Sequence, residues 1–301
     1  MYGVANLRSS KGGLYVKSSG NGFRSNRTNG YSCGENNLDT DGAMSCTADV
    51  ADARHALPYV AVVGALTAND LKTSYSTPGP SLWVSSYGGE YGTDVNYGYG
   101  DSTSVPAIMT TDQSSCDQGY VGSFGRRYNA FNNDSNPHPE NLNCNYVSTF
   151  NGTSSAAPNV SGAMALILEA NPALTWRDVK HILASTSKQI DLDRTYSRNN
   201  IVQYEWETNA AGYKHHTWYG FGAIDMEAAI NAALNYTAGS LGTFGSTSYL
   251  YENLDNSIAD FATTYFVKSI PSVDGLENNF VEFVRLSLDF SHSIPRDIGI
   301  V

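Results

Sequence analysis

Asn151-Gly152-Thr153-Ser154-Ser155-Ala156-Ala157-Pro158 is the stretch on which the fold turns. From Ser154 to Ala170 the residues are small or apolar, and Asn171-Pro172 ends the run, because the residue before a proline is pushed out of the helical region. The pattern predicts a helix apolar on most sides, hence central and buried. A serine in the first turn of such a helix stands among unpaired backbone N–H groups, at the positive end of the helix dipole. A nucleophilic serine needs a fixed position and donors for the oxyanion that develops on its substrate. Gly152 lets a substrate strand approach closely, and Pro158 is placed in the first turn, where a missing N–H costs little. Gly-Thr-Ser alone is more often a plain helix cap.

Upstream, Leu14-Tyr15-Val16-Lys17-Ser18-Ser19 reads as a short strand ending at the turn Gly20-Asn21-Gly22. Pro58 to Ala65 is an unbroken, mostly apolar run, the signature of a parallel strand with both faces covered. Leu82–Ser85 and Ala107–Thr110 are further short strands, and residues 112–148 form a long Asn-, Gly- and Tyr-rich insertion. Downstream, Thr175 is an N-cap for an amphipathic helix beginning at Trp176, and Asp225–Leu234 is a last helix. Residues 236–264 read as a linker. From Val281 to Phe290, Val284, Leu286, Leu288 and Phe290 alternate with polar residues, as in a half-buried strand.

The 301 residues carry 18 Lys and Arg against 29 Asp and Glu, a net charge of −11, with no dense basic cluster. Nucleic acid is therefore not an expected partner. No stretch reaches about 18 uninterrupted apolar residues, so no membrane span is expected. Four cysteines, Cys33, Cys46, Cys116 and Cys144, bracket two polar loops, and none lies in a CxxC. The simplest of the three possible pairings joins Cys33 to Cys46 and Cys116 to Cys144. Disulfides place the protein in an oxidising compartment, hence secreted or at the cell surface, extracellular or periplasmic.

Gly152-Thr153-Ser154-x-Ala156-x-Pro158, followed by Val160, Gly162 and Ala165-Leu166, resembles the nucleophile motif of subtilisin-like serine proteases. Glu169-Ala170-Asn171-Pro172-x-Leu174-Thr175-Trp176-Arg177-Asp178-Val179 is closest to the kexin and furin branch. The resemblance implies an α/β three-layer fold around a parallel sheet, and a serine endopeptidase that forms an acyl-enzyme on Ser154. Ser19-Gly20-Asn21-Gly22 resembles the strand end that carries the oxyanion-hole asparagine, which implies that role for Asn21. Gly152 and Thr153 become substrate-binding positions, and Asp41-Gly42 resembles the acidic floor of the specificity pocket. Residues 1–235 then form the C-terminal part of the catalytic domain. Val281–Phe290 with Asp297-Ile298-Gly299-Ile300 resembles the start of the β-sandwich P domain, placing a truncated β-sandwich at residues 265–301.

The family's order of catalytic residues is Asp, His, Ser, and subtilisin follows it. Only twenty residues precede Asn21, and none of the six histidines (His55, His138, His181, His215, His216, His292) is followed by glycine, as the family's catalytic histidine is. The chain is expected to lack the catalytic Asp and His and to be inactive alone. No metal ligand is assigned: a structural calcium ion is possible from the resemblance, yet the furin-type ligand positions are Ser32 and Thr77. The expected partner is a peptide or protein substrate, with a propeptide possible in the full protein. From another class, a non-catalytic secreted binding module derived from a protease is the alternative.

Overall fold

The computed structural model describes residues 2–23, 45, 47–94, 105–122, 129–133, 135–194, 196–198, 201–245 and 282–284. The chain divides into two compact units, Met1–Leu241 and Gly242–Val301. In the first unit the order is α1 (Tyr2–Ser10), β1 (Tyr15–Ser18), β2 (Val60–Leu66), β3 (Leu82–Tyr87), β4 (Ile108–Thr111), α2 (Gly119–Gly122), β5 (Tyr146–Phe150), α3 (Thr153–Ala170), α4 (Trp176–Thr186), β6 (Tyr196–Arg198), β7 (Ile201–Tyr204), β8 (Glu207–Thr208), β9 (Lys214–His215) and α5 (Met226–Asn235).

β1, β2 and β3 make a parallel sheet in that order, with Tyr15 opposite Val60 and Ser18 opposite Val63. All seven residues of β2 are buried. Side chains of a strand alternate between faces, so Ala61, Val63 and Ala65 enter the core with α3, while Val60 and Val62 pack with Leu82 on the other side. The unbroken apolar run in the sequence is thus a strand covered on both faces. α3 crosses all three strands and packs on α5, and α4 packs on α5 and β3. Lys180 of α4 is buried, yet its ammonium donates to Pro58 O (2.6 Å) and Val60 O (2.9 Å) and lies 3.8 Å from the Trp83 ring centre. A buried charge tolerates such a place when its donors are met.

Two helix ends follow the sequence closely. Thr175 and Asp178 form a reciprocal capping box on α4, and Asp225 Oδ1 accepts from Ala228 N (3.1 Å) at the start of α5. Residues beyond α5 remain tied to the first unit: Gly239 N donates to Asp178 Oδ2 (3.0 Å), and Arg177 donates to Leu241 O (3.2 Å).

α3 corrects two expectations. Only Thr153, Ser155, Ala156, Val160, Ala163, Met164 and Ile167 are buried. Ser154, Pro158, Ser161, Gly162, Ala165, Leu166 and Glu169 are exposed along one stripe, because the sheet covers one face and no described element packs on the other. Pro158 lies inside the helix rather than in its first turn. The Ser154 carbonyl therefore has no amide four residues on to accept from.

The insertion is more ordered than its composition suggests. β4 and β5 pair antiparallel, and Cys116 and Cys144 form a disulfide with Cα atoms 4.9 Å apart. Three asparagines stitch the insertion to β5. Asn129 Nδ2 donates to Ser148 Oγ (3.1 Å), Asn132 Oδ1 accepts from Ser148 N (3.0 Å) and Asn141 Oδ1 accepts from Tyr146 N (3.1 Å). Cys33 and Cys46 lie outside the described residues. Glu282–Val284 carry no regular secondary structure, and the rest of the expected Val281–Phe290 strand also lies outside.

Ile167→Ala, in the middle of the core face of α3, is expected to cost about 2–5 kcal/mol of unfolding free energy. Leu166→Ala, on the bare stripe, is expected to cost less than about 0.5 kcal/mol. Urea denaturation of the two variants checks both values, and equal losses would show that the stripe is covered in solution.

Candidate active site

β1 delivers Ser19-Gly20-Asn21 to the N-terminus of α3. The parallel ladder continues one bond past the strand, from Ser19 N to Val63 O (3.0 Å). Gly20 then turns at φ +112°, a region that favours glycine. Its N–H donates to Thr153 Oγ1 (3.2 Å), and its carbonyl accepts from Thr77 N (2.9 Å).

Asn21 Oδ1 accepts from Thr153 N (3.0 Å) and from Thr153 Oγ1 (2.8 Å). The carbonyl end of the side chain is thereby committed, and Nδ2 is left to face away from it. A Cβ added at Gly152, where φ is +118°, would lie 3.4 Å from Asn21 Nδ2 and 3.6 Å from Ser154 N. The two nitrogens thus flank one point that glycine leaves empty, and their separation is no more than those two distances combined. Gly152 itself is held by its N–H donating to Tyr75 Oη (2.8 Å). Burial pushes the Tyr75 phenol up to about 12, so it remains a neutral hydroxyl.

Beside Asn21 opens a pocket of about 360 Å³ lined by residues 17–22, Thr47, Ala48, Asp49, Asp52, His55 and Thr77. Asp49 is 1% exposed, and neither carboxyl oxygen has a hydrogen-bond partner. Amides of Ser81, Val50 and Leu82 lie nearby and lower its pKa in part, none at hydrogen-bond geometry, and burial outweighs them, raising it to about 6. Asp52 differs in every respect. Hydrogen bonds from Arg54 (2.7 Å) and an ion pair with Lys17 (2.9 Å) hold its carboxyl far below the usual range.

The sequence-derived site residues therefore divide. Asn21, Gly152, Thr153 and Ser154 come together. Asp41 lies outside the described residues, as does Ser32. Thr77 Oγ1 accepts from Gly22 N (2.9 Å). Asp49 was missed, since an aspartate in Thr47-Ala48-Asp49-Val50 has no local mark of burial. Its one signal is position, shortly before the buried β2 run. Among the described residues, no three His, Cys, Asp or Glu side chains form a group able to hold a metal.

The hydrogen bonds of the described histidines go elsewhere than Ser154. His55 Nδ1 bonds Asp49 O (2.7 Å), His215 Nε2 bonds Leu82 O (3.1 Å) and His216 Nδ1 accepts from Trp218 N (2.9 Å). His181 Nε2 lies 3.4 Å from Tyr213 Oη, and His138 Nδ1 accepts from Glu140 N (3.3 Å).

A parallel sheet feeding an asparagine to the N-terminus of a serine-bearing helix defines the class, and the chain belongs to the Subtilase family, whose sequence profile (Peptidase_S8) matches residues 3–222. The Aeromonas extracellular serine protease of Aeromonas sobria is 33% identical over 237 residues, covering 75% of this chain and 36% of that protein. Proprotein convertase subtilisin/kexin type 5 of Homo sapiens is 34% identical over 155 residues, covering 50% of this chain and 8% of its own length. The crystal structure of the serine protease of Aeromonas sobria superposes with a TM-score of 0.62 at 32% identity, covering 76% of this chain and 38% of that one. The chain thus spans well under two thirds of these relatives.

Thr153→Val keeps the shape of the side chain and deletes both of its hydrogen bonds. It is expected to cost about 1–3 kcal/mol and to speed hydrogen exchange at the Gly20 amide, which donates to that hydroxyl. NMR exchange rates on the two proteins check this. An unchanged rate would mean that the Thr153 hydroxyl does not hold the Gly20 turn.

Proposed function

We propose that this chain carries the nucleophile and the oxyanion site of a secreted serine endopeptidase. One observation supports the reading above others: Asn21 Nδ2 and Ser154 N flank a single empty point at Gly152. Ser154 Oγ attacks the scissile carbonyl carbon, and the carbonyl π pair moves onto oxygen. That oxygen sits between the two N–H donors, which strengthen their hold as it becomes an anion. Collapse expels the amine and leaves an ester on Ser154, which water then hydrolyses.

The proton of Ser154 Oγ must go to a base, and the hydrogen bonds of the described histidines lie elsewhere. In subtilisin the Asp and His precede the Ser in the chain, so the base belongs to residues upstream of Asn21 in the complete enzyme. It would reach Ser154 from the bare side of α3. The bond-making steps use protein groups alone, and a structural calcium ion would take no part in them.

The pocket beside Asn21 supplies specificity. Asp49 and Asp52 are among its lining residues, and two acidic residues beside the oxyanion asparagine suit a basic side chain in the substrate. The three-layer architecture, a domain boundary near 235, a β-sandwich from 265 and extracellular location complete the proposal. The name of the Aeromonas sobria relative describes it as extracellular, and among the described residues no helix is long and apolar enough to cross a membrane. A folding partner is a further proposal: a solved structure of the Aeromonas sobria enzyme is a complex with a chaperone (ORF2).

The chain of residues 1–301 is expected to show no peptidase turnover and no labelling of Ser154 by a fluorophosphonate. Mass spectrometry checks the label, and stoichiometric modification would contradict the missing base. In the longer enzyme, Asn21→Ala should lower kcat by about 10²–10³, the loss known for the oxyanion asparagine of subtilisin. KM should barely change, because the bond is made in the transition state. An unchanged kcat would remove Asn21 from the site, whereas a longer protein with no turnover at all would favour a binding module over an enzyme.

A further inference from the structure

The backbone around the oxyanion point is built largely of glycine. Asn21 lies between Gly20 and Gly22, and Gly152 stands two positions before Ser154. Gly20 and Gly152 take φ values of +112° and +118°, a region that favours glycine, and glycine is also the residue with the most conformational freedom to lose. An oxyanion site works through donors that are in place before the charge develops. Donors carried on glycine-rich backbone therefore need bonds from elsewhere to hold them.

The segment Tyr75-Ser76-Thr77 supplies those bonds. Thr77 takes both glycines beside Asn21: its N–H donates to Gly20 O (2.9 Å), and its Oγ1 accepts from Gly22 N (2.9 Å). The Tyr75 carbonyl accepts from Phe23 N (3.1 Å), one residue further along. The Tyr75 hydroxyl reaches the other side of the site. It accepts from Gly152 N (2.8 Å) and donates to Gly89 O (2.5 Å) and Gly88 O (3.0 Å). Between the two, Ser76 Oγ accepts from Ala65 N (3.0 Å), which anchors the segment to the buried strand β2. Tyr75, Ser76 and Thr77 are 6%, 1% and 3% exposed, and hydrogen bonds away from water are electrostatically stronger.

We infer that Tyr75 and Thr77 are positioning residues for the peptidase reaction, a clamp that sets the separation of Asn21 Nδ2 and Ser154 N. The inference rests on the reading of those two nitrogens as the oxyanion donors and adds what places them. Thr77 acts on Asn21 through Gly20 and Gly22, and Tyr75 acts on Ser154 through Gly152. Thr153 fixes the Asn21 side chain against the helix, whereas the clamp fixes the backbone from which that side chain extends. Loss of the Thr77 hydroxyl leaves Gly22 N–H without this acceptor. Loss of the Tyr75 hydroxyl leaves Gly152 N with Gly88 O, at 3.2 Å. An oxyanion bond is made mainly in the transition state, so a misplaced donor lowers kcat and leaves KM nearly unchanged.

The test uses the longer enzyme, with kcat expressed per active serine titrated with a fluorophosphonate, so that unfolded protein does not register. Tyr75→Phe and Thr77→Val each delete a hydroxyl and keep the shape of the side chain. Each is expected to lower kcat by about ten- to a hundredfold, with KM close to that of the wild type. Thr77→Ser keeps the hydroxyl and should retain most of kcat. Thr77→Val added to Asn21→Ala should lower kcat no further, because Thr77 acts through the amide already removed; a general effect on stability would add to the loss instead. The clamp is overturned, with the oxyanion reading intact, if Asn21→Ala lowers kcat while either hydroxyl deletion leaves it unchanged or acts on KM instead. Equal losses in Thr77→Ser and Thr77→Val, or a Thr77→Val loss undiminished beside Asn21→Ala, would overturn it too. An unchanged kcat in Asn21→Ala would overturn the oxyanion reading and the clamp together.

Discussion

The contact between Asn21 and Thr153 is the joint on which the site depends. The two residues are 132 positions apart, and Asn21 Oδ1 accepts both the backbone N–H and the hydroxyl of Thr153. The first of these is one of the N–H groups that any helix leaves unpaired at its start. Spending it on Asn21 rather than on water fixes the strand end against the helix end. It also orients the amide, because a planar side chain with its oxygen committed has one place left for its nitrogen. Gly152 needs to be glycine because its φ of +118° is one that side chains rarely adopt, and a Cβ there would also occupy the point 3.4 Å from Asn21 Nδ2 and 3.6 Å from Ser154 N.

That joint is held from behind by the sheet. β2 is buried over its whole length, and α3 lies across it, so the position of Ser154 is inherited from a parallel register rather than from local turns. The opposite side of α3 is different. Its bare stripe begins at Ser154 and runs through Gly162 to Glu169, which is the one charged residue of the helix. A helix that met only water on that side would be expected to carry more charge there.

The two aspartates of the pocket show how environment divides identical side chains. Asp52 has two cations within reach and keeps its charge over the whole range of ordinary pH. Asp49, three residues earlier, has neighbouring amides but no cation partner, and burial raises its carboxyl to about 6. The difference is one of burial and pairing, not of sequence context.

Much of this was legible in the residues. The apolar run before Ala65 announced β2 because a strand covered on both faces cannot alternate, and Thr175 and Asp225 announced their helices because capping is a local bond. Small residues after Ser154, with the Asn171-Pro172 stop, set the length of α3. The turn at Gly20-Asn21-Gly22 marked where a strand must end. What those residues could not determine was anything that depends on a neighbour distant in sequence. Burial of Asp49 comes from a segment nearly thirty positions away folding over it, and the two-sided burial expected of α3 fails because no described element covers its second face. β4 was read as a strand, but its partner β5 was hidden at the end of an insertion whose polar composition resembles a loop, since the order there comes from a disulfide and from asparagine side chains rather than from an apolar pattern. Local bonds and periodicity are written in the sequence, whereas desolvation and convergence exist only once the chain has brought distant residues into contact.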